Sequence, residues 1–191
     1  MYEDKDRNIR CLYDAYINKN SQFVYPIDFE SLEDKTDEEI LNHRYTTMRF
    51  ITDRGVTHEL VRHRLFSFGQ ESTRYVNYSS DNHGGGDIKF IKPSDWDNWD
   101  DASKKSVTDA FKKSEREYNK LISYGRTPQE ARTVLPNGLK TEIVVTGNDK
   151  EWKHFFNLRS KGTTGKPHPD MKKVADIAFN LYKEKYSLEN L

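Results

Sequence analysis

Helix punctuation constrains this chain more than any other feature. Thr36-Asp37-Glu38-Glu39 forms a capping box, and the helix it starts is expected to run to about Tyr45. Pro93-Ser94 opens a helical region, broken near Asp101, that reaches Tyr124 with Gly125 just past its end. Thr127-Pro128-Gln129-Glu130 combines an N-cap, a proline at the first helical position and a glutamate at the third. That helix ends by Leu135, before Pro136. Asn148 caps a helix through about Arg159, with Glu151 at its third position. A last helix, Asp170 to Lys185, carries Val174, Ile177, Ala178, Leu181 and Tyr182 on one stripe. Only short stretches suited to strands lie between: Thr46 to Thr52, Asp87 to Lys92 and Thr141 to Thr146. Asp53-Arg54-Gly55 reads as a turn, and Val56, Leu60 and Val61 then recur at helical spacing through about Arg64. Phe66 to Asp81 shows no clean period, Gly84-Gly85-Gly86 is a turn, and Lys161 to Pro169 is a loop. Upstream, Arg10 to Tyr16 suits a short helix and Asn18 to Ser31 irregular chain. The expected fold class is α/β (α+β mixed): one helix-rich domain over residues 1–191 with a small central sheet.

Composition decides whether such a chain folds at all. Only 34% of its residues are hydrophobic and 32% are charged, which alone would suit disorder. Disorder, however, goes with high net charge and few aromatics. Here 31 basic residues balance 31 acidic ones and aromatics make up 13%, so a folded, polar-surfaced globule is expected. The same balance argues against a general nucleic-acid binder, which carries a basic excess. No apolar run of about 18 residues implies a membrane span. Met1 to Asp6 has no apolar core of a secretory leader. The single cysteine, Cys11, leaves no internal disulfide and no cysteine-based zinc cluster. A cytoplasmic protein is expected.

Charge is unevenly distributed beneath that balance. Between Thr36 and Ile88 there is no lysine, yet six arginines occur: Arg44, Arg49, Arg54, Arg62, Arg64 and Arg74. Lysine suffices to solvate a surface, whereas arginine presents a planar fork matched to phosphate or carboxylate. Ordinary surface ion pairs explain the pattern equally well at this stage.

Several familiar motifs fail. His58 and His63 stand at i and i+5, roughly 140° apart on a helix, whereas a zinc-protease pair needs i and i+4. Gly162-Thr163-Thr164-Gly165-Lys166 is too short for a phosphate loop and continues with Pro167 where a hydroxyl is needed. The glycines at 84–86 do not have the spacing of a dinucleotide fingerprint. Cys11 has only Arg10 beside it and no histidine or arginine-rich segment to activate a thiol. No metal site is expected.

The informative stretch runs from Arg62 to Tyr75. Arg62-His63-Arg64 is followed by Gln70, Glu71, Ser72, Arg74 and Tyr75. That many directional polar groups do not suit a core strand, and the aromatics are too regular for a disordered loop. The set can grip an anionic, planar ligand: arginines on phosphate, Gln70 and Ser72 as hydrogen-bond partners, Tyr75 for stacking. A solvated helix end plus loop is the plainer alternative. His63, set between two arginines, is expected to be neutral.

Arg62-His63-Arg64, seven residues, then Ser72 resembles the signature of the flavin-dependent thymidylate synthase family, with Arg74-Tyr75 accompanying it. Further similar blocks follow at Ala131 to Pro136, Glu151 to Arg159 and His168-Pro169, so the resemblance covers about residues 43–171. It implies a homotetramer that methylates dUMP to dTMP with 5,10-methylenetetrahydrofolate as carbon donor. FAD, reduced by NADPH, supplies the hydride, and no enzyme cysteine attacks the pyrimidine. Carried over by position, Glu59, Arg62, Glu71, Ser72, Arg74, Tyr75, Arg132 and Arg159 are expected at dUMP. Arg62, His63, Arg64, Gln70, Asn148, Lys150 and His154 are expected at FAD. The resemblance makes Arg159 and Ser72 the catalytic pair: Arg159 polarises the uracil edge and Ser72 hydrogen-bonds without attacking. His43 matches one position of the family's upstream histidine block, but follows Asn42. Neither nucleic acid nor membrane is an expected partner. A non-catalytic flavin-binding relative and an RNA-binding module built on Tyr75 and Tyr78 are the competing readings.

Overall fold

The computed structural model describes residues 41–79 and 87–186. The expected helix at Arg10, the irregular stretch from Asn18, most of the helix from Thr36 and the glycine turn at 84–86 lie outside these residues. The fold is mixed helix and sheet. Leu41 to His43 are helical. Strand β1 (Tyr45–Asp53) leads into helix α1 (Arg54–Leu60), and β2 (Ser67–Gln70) follows. A 3-10 turn at Trp96–Asn98 precedes α2 (Asp101–Ser123), and α3 (Pro128–Ala131) continues as a 3-10 turn over Arg132–Val134. Then come β3 (Lys140–Asn148), α4 (Asp149–Arg159) and α5 (Pro169–Tyr186). The sheet order is β1-β3-β2.

The chain divides into two compact units. The first takes the described residues up to Phe50, Val61–Gly69 and those from Val144 onward; the second takes Ile51–Leu60 and the described part of Gln70–Ile143. The first unit has an aromatic core. Trp152 packs on Phe66 with ring centres 4.6 Å apart, and Phe156 meets Phe179 at 5.0 Å and Tyr182 at 5.4 Å. The indole N–H of Trp152 donates to the Thr46 carbonyl at 3.0 Å, so this large side chain is buried without an orphaned donor. Gly147 is required here, because a Cβ at that position would overlap the ring of Phe66. The second unit is built on Tyr78, Ile88, Tyr118, Ala131 and Leu139. Phe90 stacks on Phe111 at 4.5 Å, and Tyr78 N–H reaches the Tyr118 hydroxyl at 3.4 Å.

The helix starts follow their caps. Asp100 Oδ1 accepts from Ser103 N–H at 2.9 Å and begins α2, and Gly125 at φ 80° ends it. Thr127 and Glu130 form the reciprocal capping box of α3. Asn148 Oδ1 accepts from Glu151 N–H at 2.9 Å at the head of α4. In β3, Thr141, Ile143, Val145 and Gly147 are buried in strict alternation, the period of a pleated strand.

Five expectations need correction. Asp53-Arg54-Gly55 is not a free turn: α1 starts at Arg54, capped by Asp53 Oδ1 accepting from Val56 N–H at 2.8 Å. That helix stops at Leu60, which leaves Val61 exposed while Val56 and Leu60 are buried. Phe66 to Asp81, which shows no period, contains β2; four residues are too few for alternation to register. Asp87 to Lys92 makes one isolated bridge, Phe90 to Leu139, in place of a strand. On α5 the buried face is Met171, Ala175, Ala178 and Tyr182, while Ile177 and Leu181 are more than half exposed. Ala175 and Ala178 are buried there while the larger Ile177 and Leu181 are not, a choice that hydrophobicity alone does not reveal.

A buried ion pair ties the first unit together. Asp149, fully buried in the first turn of α4, hydrogen-bonds Arg44 Nε. The Arg44 guanidinium lies over the Tyr186 ring at 4.1 Å, and the Tyr186 hydroxyl meets Thr46 Oγ1 at 2.6 Å. Burial pushes the Asp149 carboxyl up, against Tyr182 and Arg44, which favour its charged form. Arg44→Met leaves that carboxylate without its counter-charge and should destabilise the protein by about 3 kcal/mol in urea unfolding. Arg44→Met combined with Asp149→Leu should recover most of the loss. No recovery would show that the pair is not the source of the effect.

Candidate active site

The residues expected at the site fall into two groups, one on each unit. In the first unit α1 has ended and the chain turns, so His63 points inward at 6% exposure while Arg62, Arg64 and Leu65 stay on the surface. His63 and His58 therefore do not share a helix face at all. Phe66 N–H donates to the His63 carbonyl at 3.1 Å and closes the turn. The imidazole packs edge-on against Phe155 at 5.1 Å. Its Nε2 accepts a hydrogen bond from Arg159 Nε at 3.2 Å, from the last turn of α4. Arg159 and the arginine-histidine signature, far apart in sequence, thus meet directly.

Two further α4 residues face the same ring. His154 lies 6.0 Å away between ring centres, and Glu151 Oε1 is 3.7 Å from His63 Nδ1. Glu151 and His154 are three residues apart and so share a helical face. Burial, with Arg159 and His154 adding to it, pushes the His63 pKa down to about 4. The neutral state expected for His63 is therefore supported, but its main cause is burial. Arg159, not the flanking Arg62 and Arg64, is the leading charge. Burial moves the Glu151 carboxyl up, with His154 opposing. Sequence reasoning did not single out Glu151; its spacing from His154 was the available signal.

His63, Glu151 and His154 hold potential metal-ligand atoms within 4.8 Å of one another, the one such grouping found among the described residues. A metal-bound imidazole donates from its other nitrogen. Here that nitrogen accepts from Arg159, so the present arrangement does not suit a metal ion.

Of the remaining expected flavin residues of this unit, Asn148, Lys150 and His154 lie on or at the head of the same helix, and Arg62 and Arg64 flank His63. Asn148 is occupied as the cap of α4 and also donates from Nδ2 to the Asn42 carbonyl at 3.3 Å. Lys150 and His154 are exposed. Arg62 and Arg64 are exposed and have no ion pair among the described residues.

In the second unit the signature continues past β2 into a turn. Tyr75 N–H donates to the Ser72 carbonyl at 3.2 Å, and Arg74 N–H to Ser72 Oγ at 3.3 Å. The Arg74 guanidinium lies over the Tyr75 ring at 5.4 Å, and Tyr75 is 76% exposed. Arg132 Nη1 donates to Thr73 Oγ1 at 3.2 Å. Thr73 thereby brings a second arginine from the far block onto the turn that carries Ser72 and Arg74. Glu71 is held inward by the Tyr78 hydroxyl at 2.7 Å and by Lys140 at 3.7 Å. Gln70 Nε2 donates to Thr57 Oγ1 at 2.9 Å, and Glu59 stands two residues further along α1. The result is an exposed turn with two arginines, a hydroxyl and an aromatic face, chemistry suited to an anionic planar ligand. Among the described residues, no helix is long and apolar enough to cross a membrane.

Comparison with known proteins gives this arrangement its family. The family model described as thymidylate synthase complementing protein matches residues 29–186. The flavin-dependent thymidylate synthase of Mycobacterium marinum is 35% identical over 121 residues, 56% of this chain and 46% of that protein. That of Corynebacterium diphtheriae is 33% identical over 140 residues, 69% of this chain and 54% of its own length. That of Mycobacteroides abscessus is 34% identical over 168 residues, 75% of this chain and 62% of its own. The chain spans about half the length of the first of these relatives. The match covers both units and every residue of the signature, and on that ground the chain belongs to the thymidylate synthase complementing protein family.

Proposed function

We propose that this protein is a flavin-dependent thymidylate synthase that methylates dUMP to dTMP with 5,10-methylenetetrahydrofolate as carbon donor. The observation that carries the reading is the Arg159–His63 hydrogen bond, which pairs the signature histidine with a cation from a separate block. The relatives' printed name supplies the flavin dependence.

The residues suit FAD. Exposed Arg62, Arg64 and Lys150 offer cations for an anionic cofactor, and exposed His154 offers a flat, polar face beside the buried His63. The flavin, reduced by NADPH, would supply the hydride. Arg74, Arg132 and Tyr75 hold the nucleotide: guanidinium groups take its phosphate and the aromatic face covers its base. Ser72 hydrogen-bonds the substrate without attacking it. Arg159 stabilises the negative charge that develops on the uracil edge as C5 attacks the methylene carbon. Its Nε is held by His63, which fixes the plane of the guanidinium before reaction. Within the second unit, Gln70 and Glu71 lead into the turn that carries Ser72, and Glu59 lies on α1. We read the working assembly as a homotetramer in the cytoplasm.

Purified protein given FAD should turn yellow and form dTMP from dUMP, methylenetetrahydrofolate and NADPH. A protein that takes up no flavin would overturn the proposal. Arg159→Ala should retain flavin by absorbance but lose about 100-fold or more in turnover, the cost of one lost charge-stabilising donor. Normal turnover in that variant would remove Arg159 from the mechanism. Arg74→Ala should raise the dUMP concentration needed for half-maximal rate about tenfold or more, with a smaller effect on maximal turnover. An unchanged dUMP requirement would contradict the phosphate role.

A further inference from the structure

Among the described residues, α3 and α4 both begin with glutamate at the third position, and they use it differently. At α3 the carboxylate of Glu130 reaches back to its own cap, accepting from Thr127 N–H at 2.9 Å and from Thr127 Oγ1 at 3.0 Å. At α4 the cap is made by Asn148 alone, and Glu151 Oε1 stands 3.7 Å from His63 Nδ1. Both side chains of that pair are nearly buried, 5% exposed for His63 and 8% for Glu151. On the opposite edge of the imidazole, Arg159 Nε donates to Nε2 at 3.2 Å.

The proton count leaves one arrangement. Arginine Nε always carries hydrogen and never accepts, so Nε2 of His63 must be the acceptor. A neutral imidazole has one N–H, which then sits on Nδ1, facing Glu151. We propose that Glu151 is a positioning residue: its carboxylate holds His63 in the tautomer protonated at Nδ1, and His63 in turn orients Arg159. At 3.7 Å the contact is a carboxylate drawing on an N–H dipole at low exposure, longer than a hydrogen bond. The role of Arg159 rests on the synthase reading; the tautomer of His63 does not.

A glutamate at this position also favours the helix dipole, and the test must separate the two roles. Histidine-selective 15N labelling of the full chain reads the tautomer of His63, assigned with a His63→Gln control. Glu151→Gln keeps an acceptor oxygen but loses the charge, as far as the dipole is concerned like Glu151→Ala. The wild-type protein and Glu151→Gln should show hydrogen on Nδ1. Glu151→Ala should shift part of the population to Nε2–H, a form that cannot accept from Arg159 and so releases it. With flavin bound, Glu151→Ala should lose about tenfold or more in dTMP formation, as for other outer-sphere orienting groups, and Glu151→Gln should stay within about threefold of wild type. Unchanged tautomer in Glu151→Ala overturns the proposal, and so does a glutamine variant that loses the Nδ1 hydrogen. The latter outcome decides even if the alanine variant fails to fold. If the wild-type protein forms no dTMP, the synthase reading falls while the tautomer measurement still decides for or against Glu151.

Discussion

Asp149 carries a carboxylate into a place with no exposure at all, and the chain before β1 supplies Arg44 to meet it. Much of the first unit follows from this pair. It fixes where β1 begins relative to the head of α4, and Asp149 N–H donates to the Arg44 carbonyl at 3.0 Å in the same place. The Tyr186 ring beneath the guanidinium brings in the end of α5. Three elements from distant parts of the sequence are thus pinned at one point. The opposite end of α4 then carries Arg159 to His63, so the helix spans from the buried ion pair to the arginine–histidine hydrogen bond.

The two groups of site residues are built by different means. His63 is oriented inside an aromatic packing layer, where Phe155 and Phe66 limit its movement and burial keeps it neutral. Ser72, Arg74 and Tyr75 are oriented by a hydrogen-bonded turn at the surface, with Thr73 as the link to Arg132. Packing gives precision to a group that must present one nitrogen correctly. The surface turn leaves the Arg74 guanidinium and the Tyr75 ring exposed.

Much of this was legible in the residues. Caps marked by a side-chain oxygen at a defined position, as at Thr127 and Asn148, located helix starts to within a residue, because capping is a local hydrogen bond. The signature from Arg62 to Ser72 and the block ending at Arg159 supplied two residues, His63 and Arg159, that the fold joins by a hydrogen bond. Features that depend on a distant partner were not legible. β2 is a strand only because β3 lies beside it, with Glu71 N–H donating to the Glu142 carbonyl at 2.9 Å. The inward face of α5 holds Ala175 and Ala178 and leaves the larger Ile177 and Leu181 outside. In sequence Glu151 is an ordinary first-turn acid, and its neighbour His63 comes from a distant segment.

The close approach of Gly147 to the Phe66 ring has a consequence for how this sequence can drift. Position 147 has no room for even a methyl group while a phenyl ring stands at 66. Position 66 cannot shrink alone without opening a void beside Trp152. The two positions therefore form a linked pair, and the route from one allowed combination to another passes through an ill-packed intermediate. Phe66 lies two residues past Arg64 and Gly147 one residue before Asn148. Evolutionary change in this core is therefore coupled to both segments that present the expected flavin residues.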